Sequence, residues 1–282
     1  MDQLKEKVLN QYDNLSKGLK KVAKHFLNHP ATFAMYSAAQ VGKEINVGET
    51  TVIRFCHALG YHRFSDFQKE VKDKLLNNQS SLNEYHSEKK GLDHNINLVK
   101  QIMFKDAEVI QSTAEKMNIE DYQRAIDHLE KSKRILVSGM RSSYAMAHWF
   151  AFVLEIFRGD VRLFRPDMDD IILRLHELNS ESTLVAFSFH RYAIETVNIA
   201  KEAKNQGAFV IGISDSMVSP IREYVDVLFT VPLPKPSTLD VGPAVFSLIN
   251  ALVAGVYMKN PSQFEKRMEL YDKVKINHFF AE

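Results

Sequence analysis

A single cysteine, Cys56, among 282 residues rules out an internal disulfide and any cysteine-rich metal site. A surplus of one charge sign is also missing: the formal net charge is +1, so the chain as a whole does not carry the field of a nucleic-acid binder. No apolar run reaches membrane-spanning length. The longest, Ala244 to Met258, is broken by Ser247, Asn250 and Gly255 and predicts a core helix. The opening residues, MDQLKEKVLNQY, lack the apolar centre of a signal peptide. These absences point to a cytoplasmic, reducing setting with no membrane partner. No Walker loop or nucleophile elbow occurs, and His25, His29, His128 and His148 fall in helical patterns without Asp or Cys at metal spacing. Neither a metal nor a cofactor is expected.

What is present describes a globular protein: 45% hydrophobic and 25% charged residues, in a length that suits two domains. The charge is unevenly spread. Met1 to Leu76 holds twelve Lys or Arg against eight Asp or Glu, about +4, which leaves about −3 for the remainder.

Within that basic part, Ser37 to Leu59, SAAQVGKEINVGETTVIRFCHAL, reads as two short helices joined by a tight turn. Ser37 with Gln40 three residues on is a capping box, and Val41 and Ile45 share one face of the helix that follows. Asn46 tolerates the left-handed conformation of a helix stop, Val47 plugs the corner, and Gly48 caps a second helix from Glu49 to Leu59. At 100° per residue, Val52, Phe55, Cys56 and Leu59 fall on one side. That makes Cys56 a core residue rather than a sensor thiol. Thr50, Arg54 and His57, flanked by Thr51, fall on the other side. A guanidinium and hydroxyls on an outward helix face fit base edges and phosphates, although such a face can equally be solvated. Arg63 and His62, in the turn after the helix, are placed to touch phosphates or to be solvated.

Along the rest of the chain, Leu4 to Asn28 is periodic enough for one support helix, ended at His29-Pro30. A short connection with Phe33 and Met35 follows. Ser65-Asp66-Phe67-Gln68 is a second capping-box pattern opening a helix to Leu76. Residues 77–95 are polar and without period, a linker. Amphipathic helices are predicted over Ile96 to Met117 and Ile119 to Lys131. From Arg134 onward, β-branched runs alternate with helical stretches: residues 135–139, 161–164, 183–188, 209–214 and 227–231. This predicts a five-stranded parallel sheet of the flavodoxin-like, doubly wound type, closed by helices over Asp240 to Met258 and Pro261 to Ile276. Ligands of such folds sit beyond the carboxyl ends of the strands, here Gly139 to Ser143 and Ser188 to Tyr192.

This order of parts resembles the RpiR/MurR family of bacterial transcription regulators, over nearly the whole chain. The most specific piece is VGETTVIRFCHALGYHRFSDFQ, Val47 to Gln68, where Thr51, Arg54 and Gly60 match the family's recognition-helix segment. Asn46 and Gly48 stand where a glycine and a serine are more usual. The resemblance implies a helix-turn-helix domain at 1–76, the linker at 77–95 and an SIS (sugar isomerase) domain at 96–282. It further implies a homodimer or higher homo-oligomer reading operator DNA and sensing a sugar phosphate or related sugar acid. The implied DNA readers are Thr50, Thr51, Arg54, His57 and Arg63. By the same resemblance, Ser143 falls on the serine that holds the sugar's phosphate and Ser188 opens the second ligand loop. In that loop His190, Arg191 and Ala193 replace a serine, a glycine and a threonine, and Arg141 replaces a glycine in the first.

Arginines are poor occupants of glycine-only conformations, so both loops are expected to take a different shape. Arg141 and Arg191, with Ser142, Ser143, Ser188, His190 and Tyr192, would then bind an anionic effector directly. Alternatively the site has decayed, and the arginines are solvated or paired with Asp169, Asp170 or Glu195. Two other functions stay open. One is a phosphosugar isomerase, with Glu195 and His190, or more distantly His176 and Glu177, as acid or base. The other is a ligand-blind dimerisation module.

Overall fold

The structure is a computed structural model that describes residues 2–76, 85–86, 89–90, 97–233 and 238–273. The chain divides into two compact units, residues 1–80 and 81–282.

The first unit is all helical: α1 (Asp2–Tyr12), α2 (Lys17–Asn28), α3 (Pro30–Met35), α4 (Ala38–Ile45), α5 (Glu49–Ala58) and α6 (Phe64–Leu76). Its core is aromatic. Phe26 of α2 lies 5.3 Å from Phe33 and 5.2 Å from Phe67 between ring centroids, and Phe55 meets Phe67 edge-on at 5.9 Å. Such pairs add about 0.5–1.5 kcal/mol each beyond the area they bury.

Three expectations are corrected in this unit. Leu4 to Asn28 is two helices, broken at the polar stretch Asp13 to Ser16, where Leu15 is buried in the corner. The connection carrying Phe33 is a helix of its own, because Pro30 stops α2 yet is preorganised for the first position of α3. The pattern Ser65 to Gln68 is not a capping box, since α6 already starts at Phe64. Gln68 instead sends its amide across to the carbonyls of Phe33 at 3.1 Å and Tyr36 at 2.8 Å, closing the end of α3. Gln68→Ala should therefore lower the stability of this unit by about 1–2 kcal/mol, two net hydrogen bonds' worth. An unchanged melting temperature would mean that water replaces the amide without cost.

In the second unit, α7 (Leu98–Glu115) and α8 (Ile119–Lys131) lead into β1 (Arg134–Gly139). Then come α9 (Ser143–Phe157), β2 (Val161–Leu163), α10 (Ile171–His176), β3 (Ser182–Ser188), α11 (Ile194–Asn205) and β4 (Phe209–Ser214). A 3-10 turn (Pro220–Tyr224), β5 (Val227–Thr230), α12 (Gly242–Lys259) and α13 (Pro261–Lys273) complete it. All strands pair in parallel in the order β2-β1-β3-β4-β5, the flavodoxin-like sequence expected.

The pleat sorts the apolar side chains between two faces. Ile135, Val137, Val185, Phe187, Ile211 and Ile213 pack against helices α7, α8, α9 and α12, whereas Leu136, Leu184, Ala186 and Val210 face α11 and the 3-10 turn. Helix α12 is long and apolar enough to cross a bilayer by length and composition. Here Val245, Leu248, Ile249, Leu252 and Val256 are buried in the cluster shared with the sheet and helices α7, α8 and α9, as a core helix requires. The expected linker, 77–95, is described only at 85–86 and 89–90, which are helical, and otherwise lies outside the described residues.

Candidate functional site

In the first unit the turn is built from its own letters. Ser37 Oγ accepts from the Gln40 amide at 3.3 Å while Gln40 Oε1 accepts from the Ser37 amide at 2.9 Å, the reciprocal capping box. Asn46 is left-handed at φ 59°, and the Val47 amide returns to the Gly42 carbonyl at 2.8 Å. Sequence reading passed over Gly42. A Cβ there would stand 2.8 Å from the Val47 carbonyl oxygen, so the close approach of the turn to α4 requires glycine. At the far end of α5, Gly60 at φ 86° and two bonds, Gly60 amide to His57 carbonyl and Tyr61 amide to Cys56 carbonyl, form a Schellman stop. Cys56 is fully buried, and burial pushes its thiol up to about 12.

The five expected DNA readers do not share one environment. Thr50 and Arg54 are exposed on the outward side of α5, and Arg63 is exposed in the following turn. Thr51 is half-buried, its methyl packed where α2 passes at Gly18. His57 is exposed but donates from Nε2 to the His62 carbonyl at 3.1 Å, which ties the imidazole to the turn.

In the second unit the register aligns Gly139 with Phe187 and Ser188 with Ser214, so the loops after β1 and β3 leave from neighbouring strands. Strand β1 is flanked by β2 on one side and β3 on the other, the point where connections diverge and a crevice opens. The first loop carries Arg141, Ser142 and Ser143 into α9, and the second carries Ser188, His190, Arg191 and Tyr192 into α11. Neither helix start is capped by its own N-cap side chain; the first two amides of α9, Ser143 and Tyr144, turn back to the Met140 and Arg141 carbonyls at 3.0 and 3.1 Å, so it is the start of α11 that offers amide donors to an anion. Ser188 is 2% exposed, and its hydroxyl finds no hydrogen-bond partner in the structure.

The expectation of altered loop shape is overturned. Arg141 sits at φ 55° and Arg191 at φ 69°, the left-handed region that glycine favours. Both loops thus keep a glycine-like backbone under a long cationic side chain. The cost, about 1–2 kcal/mol per residue, is small enough for the surrounding fold to impose.

Of the alternative, arginines solvated or paired to nearby acids, the pairing is not seen among the described residues. Asp169 is engaged by Arg174 at 2.6 Å and by the Arg165 amide at 2.9 Å, and Asp170 caps α10 through the Ile172 amide at 2.8 Å. Among the described residues, neither Arg141 nor Arg191 forms an ion pair with them or with Glu195, and both arginines are exposed. His176 and Glu177 are remote from the loops: Glu177 binds Arg134, the first residue of β1, at 3.3 Å, at the opposite end of the sheet.

Two of the expected effector residues are tied to a residue outside both loops, His190 through its backbone alone. His190 is buried, and its backbone amide donates to Asp215 Oδ2 at 3.2 Å; the Tyr192 hydroxyl donates to Asp215 Oδ1 at 2.9 Å. Asp215, at the end of β4, was not legible as part of this site.

The rpiR-family helix-turn-helix domain model matches residues 2–78, and the SIS domain model matches residues 128–255. An uncharacterized HTH-type transcriptional regulator of Haemophilus influenzae is 27% identical over 228 residues, covering 78% of this chain and 76% of that protein. The HTH-type transcriptional regulator HexR of Escherichia coli is 25% identical over 270 residues, covering 94% of this chain and 91% of HexR. Among solved structures, Vibrio vulnificus NanR complexed with ManNAc-6P has a TM-score of 0.60 at 16% identity, over 99% of this chain and 100% of that one. With both parts matched in order, and likeness to HexR running almost end to end, this chain belongs to the RpiR family of transcriptional regulators, a helix-turn-helix domain followed by an SIS domain.

Proposed function

We propose that the SIS domain senses a sugar phosphate or a related sugar acid, and that occupancy changes how the helix-turn-helix domain binds its operator. The observation that carries this reading is the pair of exposed arginines, Arg141 and Arg191, held in left-handed backbone on the two crevice loops. Strain of that kind persists where the side chain has a use. The unpartnered Ser188 hydroxyl and the uncapped start of α11 add neutral donors around the same place. The presence of ManNAc-6P in the NanR complex supports the same ligand class.

On the DNA side, Thr50 and Arg54 are the readers, Arg63 is a phosphate contact, and Thr51 and His57 position the helix. Two such heads in a homodimer, entering successive major grooves about 34 Å apart, would read a palindrome in the cytoplasm. The effector acts by binding one arrangement of the dimer more tightly than the other.

A thermal-shift panel of sugar phosphates and sugar acids tests the sensing half, because a ligand of the native state must raise the melting temperature. A folded protein that responds to none of them would be a ligand-blind dimerisation module instead. The reading half has its own prediction. Arg54→Ala should cost about 1–3 kcal/mol of operator affinity and relax preference at one base pair. An equal loss on every DNA sequence, measured by competition binding, would make Arg54 a phosphate contact.

A further inference from the structure

The residues on either side of Arg191 are tied to one side chain that belongs to neither ligand loop. Asp215 Oδ2 accepts the His190 amide at 3.2 Å, and Oδ1 accepts the Tyr192 hydroxyl at 2.9 Å. The preceding residue joins the same network: Ser214 Oγ donates to the Ser188 carbonyl at 2.6 Å and lies 3.3 Å from Asp215 Oδ1. Ser214 is fully buried in β4, directly in register with Ser188 of β3. The loop is thereby fixed at Ser188, His190 and Tyr192, and Arg191, the exposed residue between the last two, carries the positive φ. The two loop donors, the His190 amide and the Tyr192 hydroxyl, both point at this carboxyl, while the single Ser214 hydroxyl proton goes to the Ser188 carbonyl. Burial pushes the Asp215 carboxyl above the usual carboxylate range, and the bonds from Tyr192 and His190 act against that rise by favouring the charged form. Such bonds to a charged group are the stronger ones, of a size that can hold a strained residue in place.

We infer that Asp215 is the positioning residue of the effector site: by gripping the backbone before Arg191 and the side chain after it, one carboxylate holds Arg191 in its left-handed conformation and fixes where its guanidinium can reach. Tyr192 is then part of this clamp and not a ligand of the effector. The inference rests on Arg191 being an anion donor, but its backbone part can be tested without any ligand.

The test uses the full chain and four proteins: wild type, Asp215→Asn, Arg191→Gly and the double variant. Asp215→Asn keeps the side chain's shape while removing the charge and one acceptor. Tyr192→Phe, which removes a single hydroxyl, serves should Asp215→Asn not fold. Hydrogen exchange over residues 188–193 should quicken about tenfold in Asp215→Asn, since the His190 amide loses its charged acceptor. Binding of inorganic phosphate and of ManNAc-6P, measured by calorimetry, should weaken about tenfold in Asp215→Asn, and the same substitution should cost nothing further once Arg191 is glycine. Unchanged exchange, or a loss of affinity that persists in the Arg191→Gly background, overturns the positioning role. If wild type binds neither probe, the sensing reading fails for this ligand class, while the exchange result still decides whether Asp215 holds the loop.

Discussion

Glycine in place of Arg191 is expected to leave the SIS domain as stable as before, or up to about 1 kcal/mol more stable, while weakening sugar-phosphate binding about tenfold to a hundredfold. The two effects have separate origins. At φ 69° an L-residue carries roughly 1–2 kcal/mol of strain that glycine does not. Against that stands the greater freedom of glycine in the unfolded chain, about 0.5–1 kcal/mol, so the net change is small and not destabilising. Binding, in contrast, loses a forked cationic donor, and a hydrogen bond between charged partners contributes about 1.5–3 kcal/mol. Arg191→Ala separates the two contributions, because it removes the guanidinium but keeps the strain. Arg141, at φ 55° on the other loop, should behave in the same way. Denaturation midpoints and calorimetry with hexose 6-phosphates decide the matter: unaltered affinity in Arg191→Gly would remove the arginine from the site, and a marked loss of stability would make it a packing residue.

The arginines also show where sequence reading works and where it stops. The strands were legible because short β-branched apolar runs, buried along nearly their whole length, suit a parallel sheet covered on both faces. The helix-turn-helix was legible because its start and stop are local chemistry: Ser37 with Gln40 and left-handed Asn46 act over three or four residues. Helix boundaries that depend on distant partners were not. The break at Asp13 to Ser16 contains neither glycine nor proline, and what makes it a corner is burial of Leu15. Gln68 fits a capping box by spacing, yet the carbonyls of Phe33 and Tyr36, more than thirty residues upstream, offer its amide a better use.

At the candidate site, residue identity was readable and conformation was not. Arg141 and Arg191 stand where the family resemblance implies glycine, and a general steric preference argued that the backbone must change. The preference is real but amounts to about 1–2 kcal/mol, less than the packing and hydrogen bonds of the loop can impose. Asp215 was unreadable for a related reason. In sequence it is one acid in Ser214-Asp215-Ser216, an ordinary polar turn after a strand. Only the pairing of β3 with β4 brings it to His190 and Tyr192, on either side of Arg191. His57 and Thr51 likewise have the chemistry of readers, and only the fold brings the His57 ring to the His62 carbonyl and the Thr51 methyl to Gly18.

The other large effect is expected away from the crevice loops, at Arg158. This residue closes α9 and is 7% exposed, with no ion-pair partner among the described residues. Its guanidinium donates to the carbonyls of Gly159 at 3.0 Å and Glu130 at 3.2 Å, and to that of Ser132. Glu130 and Ser132 end α8 and lead into β1, so one side chain satisfies acceptors from the ends of two helices. Burial pushes the Arg158 pKa below its usual value, and the charges of Asp160, Glu130 and Glu155 act against that fall. Truncation to alanine would leave buried carbonyls without donors and open a void along the lost stem. Together these should destabilise the SIS domain by about 3–4 kcal/mol, at the large end for a single substitution. Arg158→Met restores the apolar stem but none of the donors, so it should recover only the packing share. The sole tryptophan, Trp149, lies on α9 in the same unit, so its fluorescence through a urea titration reports this domain selectively. A midpoint shift worth less than about 1 kcal/mol in Arg158→Ala would show that water reaches those carbonyls and that the buried guanidinium is dispensable.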